Sequence, residues 1–189
     1  MLRIFPIASS RTRISNDFGY VRYEGARPHE GNDLFDDVGT PLVAVDDGEL
    51  RSGLDPTGGN VINLYSADGT KYYYAHLSRF VDGSTTPPPP RQVRAGDLVG
   101  YLGATGNAAG TPPNVHFEVR PGRGAAVDPN PDLLAATRVL TPGVPTDPRG
   151  IPRPFPFGLV LALGFVGFGA WALMNPVEAN RLVRKVIPI

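Results

Sequence analysis

Residues 28 to 33, Pro-His-Glu-Gly-Asn-Asp, set an imidazole and a carboxylate four positions apart around a glycine. His29 and Asp33 read as two arms of one metal site. Neutral imidazole and carboxylate oxygen are both ordinary zinc ligands, and a catalytic zinc needs only three protein ligands plus a water. A third arm must come from elsewhere in the chain. There are three histidines in all; the other two lie in Tyr74-Ala75-His76-Leu77-Ser78 and Pro113-Asn114-Val115-His116-Phe117-Glu118. The chain has no cysteine, so a metal must be held by nitrogen and oxygen.

Taken singly, each histidine has an ordinary reading as a surface or core residue, and H-x-x-x-D alone is a weak signal. The combination is stronger. H-x-x-x-D, then Y-A-H-L-S, then V-H-F-E-V-R, in that order and with strand-like flanks, resembles the LytM-type or lysostaphin-like metallopeptidases of family M23. The resemblance covers roughly residues 11 to 134, and includes Ser15 to Tyr20 as an approach to the first ligand and Val93 to Gly103 as a Gly-punctuated run. It implies zinc as cofactor, held by His29, Asp33 and His116, with His76 as one member of a catalytic pair. Asn114 stands where the family has the pair's second histidine. An amide can donate a hydrogen bond or hold a water, but it cannot carry a proton near neutral pH.

These residues need strands to position them. Gly 23 and Pro 21 are high for 189 residues and punctuate short β-favouring runs, which predicts an all-β domain. The resemblance implies a LytM-like antiparallel sheet with an open groove. Gly39 to Val45 leads through Asp46-Asp47-Gly48 into Glu49 to Gly53, the simplest reading being two strands joined by a turn. Asn60 to Tyr65 and Lys71 to His76 flank Asp68-Gly69 and predict a hairpin that delivers His76 at a strand end. Period-2 alternation would place Tyr72, Tyr74 and His76 on one face. It also places Asn114, His116 and Glu118 together, so that Glu118 could orient a ligand imidazole. The Pro87 to Pro90 run cannot join a central sheet and is expected at an edge.

The domain is expected to span 1–140, followed by a proline-rich linker at 141–156 and a charge-free run from Phe157 to Met174. As a helix that run would be about 27 Å long, close to the roughly 30 Å hydrocarbon core of a bilayer. With Trp171 near one end and Arg181, Arg184 and Lys185 in the 175–189 tail, it predicts a C-terminal transmembrane helix and hence a membrane partner. The apolar stretch at Met1 to Phe5 is short and broken by Pro6, so no signal peptide is expected.

Lys+Arg and Asp+Glu are both 18, with no long basic run, which argues against a nucleic-acid partner. The resemblance implies a zinc-dependent peptidoglycan endopeptidase acting on cross-links or stem peptides. The alternative is a catalytically impaired peptidoglycan-binding or structural protein. The expected location is membrane-anchored with the domain facing peptidoglycan. A virus particle or similar injection apparatus would reconcile that location with the missing signal, and an unrecognised export route would do so as well.

Overall fold

The computed structural model describes residues 2–21 and 28–141. In chain order the described elements are β1 (Arg13–Ile14), β2 (Asn32–Phe35), β3 (Pro41–Val43), β4 (Gly48–Asp55), β5 (Gly59–Ser66), β6 (Lys71–Leu77), β7 (Arg79–Phe80), β8 (Arg91–Val93), β9 (Leu98–Tyr101), β10 (Asn114–Arg120) and the short helix α1 (Asn130–Ala135). A seven-stranded sheet has the order β1-β2-β10-β6-β5-β4-β8, and a three-stranded sheet the order β3-β9-β7. The strand pairings are antiparallel. This is the all-β domain that the turn spacing predicts, with the antiparallel sheet that the resemblance implies.

The Asp68-Gly69 hairpin forms between β5 and β6, with Tyr65 opposite Lys71. Gly69 takes the left-handed φ of 83° that the turn requires, and the Asp68 carboxylate accepts the Thr70 N–H at 2.9 Å. Alternate residues of β5, β6 and β10 then face inward. Ile62, Leu64, Tyr72, Tyr74, Val115 and Phe117 join Leu42, Phe80 and Val99 of the smaller sheet in one buried cluster. Each such side chain contributes about 1.5–3 kcal/mol by leaving water. Tyr74 also ties the sheets together by hydrogen bonds. Its hydroxyl donates to the Val43 carbonyl at 3.0 Å and accepts the Val45 N–H at 3.1 Å. Complete burial raises its pKa well above the ordinary phenol value.

Three expectations are corrected. The segment through Asp46-Asp47-Gly48 is a crossover rather than a hairpin turn, because β3 belongs to the small sheet while β4 pairs with β5 and β8. Residues 95–97 pin it: the Ala44 N–H donates to the Asp97 carbonyl at 2.9 Å, and Asp47 accepts the Ala95 N–H at 2.8 Å. The second correction concerns the membrane. The helix expected at 157–174 and the 175–189 tail lie outside the described residues. Among the described residues no helix is long and apolar enough to cross a membrane. The six residues of α1 would rise only about 9 Å, against roughly 30 Å of hydrocarbon. Among the described residues the fold class is accordingly the antiparallel β domain. The transmembrane helix, the membrane partner and the membrane-anchored localisation are withdrawn with it.

The third correction is the face on which His76 lies. Asn60 pairs with Leu77 but Ile62 with Tyr74, so Val61 alone opposes Ala75 and His76. This is a β-bulge, and a bulge re-aims a side chain. His76 takes φ 67°, and its ring stands 6.3 Å from that of His116. Tyr74, by contrast, packs at 5.1 Å on Phe117 in the core. The Pro87 to Pro90 run behaves as expected: it connects β7 to β8, each at the edge of its sheet.

A left-handed non-glycine residue costs about 1–2 kcal/mol. His76→Gly is therefore expected to be more stable than His76→Ala by about 1 kcal/mol in urea unfolding of the metal-free protein. Equal stabilities would show that the bulge does not hold position 76 in this conformation.

Candidate metal centre

Strand pairing brings two of the three candidate ligands together. In the β2–β10 ladder His116 lies directly opposite Asp33, and directly opposed residues of an antiparallel pair share a face. His29 arrives from the loop before β2, held by two backbone hydrogen bonds. Its N–H donates to the Tyr20 carbonyl at 3.0 Å, and its carbonyl accepts the Gly19 N–H at 2.8 Å. The loop lies so close on β10 that a Cβ at Gly31 would collide with the Phe117 carbonyl. Glycine at position 31 is what permits the approach.

Three donor atoms converge. His29 Nε2 is 2.8 Å from His116 Nδ1 and 3.2 Å from Asp33 Oδ1, and His116 Nδ1 is 3.0 Å from the same oxygen. A tetrahedral zinc with bonds of about 2.0–2.1 Å separates its ligand atoms by roughly 3.3 Å, so the cluster has the size of such a site.

The opposite ring nitrogens point at carboxylates. His29 Nδ1 is 3.1 Å from Asp17 Oδ1, and His116 Nε2 is 3.0 Å from Glu118 Oε1. A carboxylate so placed favours the proton on the outer nitrogen, which leaves a lone pair on the inward one. Two lone pairs and a carboxylate oxygen within 3.2 Å repel one another unless a proton or cation sits among them. The donor set thus fits zinc. For the metal-free site, burial works against a charged His116, yet the hydrogen bonds it donates to Asp33 and Glu118 leave its pKa raised. Burial likewise opposes a charged Glu118, and His116 and Arg120 overcome it to hold that carboxyl below its ordinary value.

His76 stands beside this cluster in a defined tautomer. Its Nδ1 lies 2.8 Å from the Thr105 carbonyl; a carbonyl can only accept, so Nδ1 carries the proton and Nε2 the lone pair. Burial lowers the His76 pKa, against the raising effect of that hydrogen bond. The loop that supplies the carbonyl is itself anchored. Thr105 Oγ1 donates to the Leu77 carbonyl at 3.0 Å and accepts the Asn60 N–H at 3.0 Å. Asn114, buried on β10, donates from Nδ2 to the Pro112 carbonyl at 3.0 Å, and its N–H donates to the Gly103 carbonyl at 3.0 Å.

A family model described as Peptidase family M23 matches residues 27–129. The chain belongs to peptidase family M23. It is 35% identical over 113 residues to the DD-carboxypeptidase/endopeptidase Mpg of Neisseria meningitidis, covering 58% of this chain and 24% of that protein. With the glycyl-glycine endopeptidase ALE-1 of Staphylococcus capitis it shares 35% identity over 138 residues, 68% of this chain and 36% of the relative. The chain thus spans about a quarter to a third of the length of these curated relatives. Its fold is similar to the catalytic domain of lysostaphin from Staphylococcus simulans, with a TM-score of 0.56 and 29% identity over 65% of this chain and 92% of that one. In an M23 chain the His29, Asp33 and His116 cluster is consistent with the zinc site typical of the family.

All four histidine and aspartate candidates meet on one side of the large sheet. Asp17 and Thr105 were not legible as partners in the sequence. Asp17 lies in a turn-rich stretch with no spacing signal toward His29, and Thr105 acts through its carbonyl, which residue type does not reveal. Removing an outer carboxylate typically costs 10- to 100-fold in metal affinity. Glu118→Ala should therefore weaken zinc binding by about 10- to 100-fold in competition with a chromophoric chelator, while His116→Ala should abolish it. Stoichiometric zinc retained by the His116 variant would remove this cluster from consideration.

Proposed function

We propose that this M23 domain is a zinc-dependent endopeptidase that cuts peptide bonds in the cross-links or stem peptides of peptidoglycan. The observation that carries the reading is the convergence of His29, Asp33 and His116 on one point with the His76 ring beside it. The names of the relatives support the substrate class, two of them being an endopeptidase of Neisseria and a glycyl-glycine endopeptidase of Staphylococcus. The working domain is taken as residues 1–140. Its two ends clasp each other: the Phe5 N–H donates to the Thr137 carbonyl at 2.9 Å, and the Arg138 guanidinium lies 3.7 Å over the Phe5 ring.

His29, Asp33 and His116 hold the ion in this reading. When bound, zinc supplies Lewis-acid polarisation of the scissile carbonyl and a lower pKa for water. The protein's own residues do the rest. With Nδ1–H committed to Thr105, His76 presents Nε2 as the atom that takes a proton from the attacking water and returns it to the leaving amine. Its lowered pKa keeps it neutral, and so able to accept, at ordinary pH.

In this reading, which rests on the family resemblance of the V-H-F-E-V-R stretch, Asn114 stands for the family's second catalytic histidine. It precedes His116 by two on the same face of β10, and residues 103–105 contact both it and His76. Its amide can position water or steady an oxyanion but cannot exchange a proton. That observation also supports a second reading, in which the domain binds wall peptides without cutting them.

Peptidoglycan digestion by the zinc-loaded chain, followed through released amino groups, separates the two. Cleavage is expected, with loss on His76→Ala. Asn114→His should raise the rate by roughly 10- to 1000-fold, the scale of a general acid or base. Equal rates would show that Asn114 does not limit the chemistry. If neither form cleaves while both hold zinc and retain wall fragments, the binding reading stands.

A further inference from the structure

Arg120 sits behind the metal cluster at the end of β10, and its guanidinium touches two carboxylates on different segments. Nε donates to Glu118 Oε2 at 2.7 Å, and Nη2 lies 3.0 Å from Glu30 Oε2. The other oxygen of Glu118 meets His116 Nε2 at 3.0 Å. Glu30 is the neighbour of His29 in the loop that leads into β2. An unbroken line of contacts therefore runs from that loop through Arg120 and Glu118 to His116.

We propose that Arg120 is a positioning residue of the metal centre, clamping the loop that carries His29 to β10 and holding Glu118 against His116. The inference rests on the reading of His29, Asp33 and His116 as the zinc ligands. An exposed ion pair would not support it, since such pairs stabilise little. These groups are instead largely covered: the side chains of Arg120 and Glu118 are 19% and 7% exposed and that of Glu30 is 35% exposed. Without Arg120 the buried Glu118 carboxylate would lack its cationic partner, and such a group turns toward solvent or another donor. His116 would then lose the acceptor that fixes its tautomer. The planar guanidinium fork relates its two partners at fixed angles, which an ammonium cannot do. The collision that a Cβ at Gly31 would make with the Phe117 carbonyl is independent evidence that the loop bears directly on β10.

The test is a double-mutant cycle on zinc affinity, measured by chelator competition on the full chain with Arg120→Gln, Glu30→Gln and both together. In the zinc-loaded forms the exchange of the His116 Nε2–H with water is followed by proton NMR. Arg120→Gln is expected to weaken zinc about 10-fold, the lower end of effects from outer partners, and to speed exchange of the His116 proton. Arg120→Lys should recover part of this, because it restores a cation beside Glu118 but not the fork. Glu30→Gln alone should weaken zinc about 3-fold and have no further effect once Arg120 is gone, since a shared clamp is non-additive. Should Arg120→Gln fail to fold, Glu30→Gln and Arg120→Lys decide the matter, Glu30→Gln keeping size and shape and Arg120→Lys keeping the charge. Zinc affinity and proton exchange within twofold of wild type in the folded variants, or strictly additive effects, overturn the clamp while leaving the zinc reading intact. Absence of zinc from the wild-type chain overturns both.

Discussion

The antiparallel register of β2 on β10 is the constraint from which the site follows. It places Asp33 opposite His116, and a slip of one residue would turn one ladder's inward set to the other face. Register is held by burial on the far side. Leu34, Val115 and Phe117 are fully buried in the cluster shared by the two sheets, so a slip would expose several large apolar side chains at about 1.5–3 kcal/mol each. Core packing on one face of the sheet thus fixes the chemistry on the other.

Around this pair the protein spends polar groups in layers. Asp17 and Glu118 face the outward nitrogens of His29 and His116, and the Thr105 carbonyl does the same for His76. Each of these contacts chooses a tautomer. The two carboxylate contacts point lone pairs of the candidate ligands toward Asp33, and the backbone contact leaves His76 with a free Nε2. The metal centre and the proton carrier are therefore set by the same device, an acceptor placed behind an imidazole.

The bulge at Ala75 and His76 shows where this arrangement stores strain. A regular β6 would put the His76 imidazole among Tyr72, Tyr74 and Phe117, in the apolar interior. One extra residue and a left-handed φ bring it out beside His116 instead. The Asn60, Thr105 and Leu77 hydrogen bonds satisfy the backbone groups that the irregularity leaves out of the ladder.

Much of this was legible in the residues themselves. Glycine and proline punctuation marked short strands, Asp68-Gly69 marked the β5–β6 hairpin, and alternation along β10 put His116 and Glu118 on one face because the side-chain period of a strand is local. The motifs named the family and the cluster. Other features depend on atoms far apart in the chain. Whether Asp46-Asp47-Gly48 turns back or crosses over was decided by residues 95–97. The face of His76 was decided by how β5 counts against β6, Asp17 reaches His29 through a loop, and Arg120 joins Glu30 to Glu118. The apolar run at 157–174 satisfies a length rule but lies outside the described residues, among which no helix is long and apolar enough to cross a membrane. Residue types and local period determined which groups this chain has for chemistry and which strand faces carry most of them. Only the tertiary structure decided their register, tautomers and partners, because those are set by hydrogen bonds and packing between segments that sequence distance does not relate.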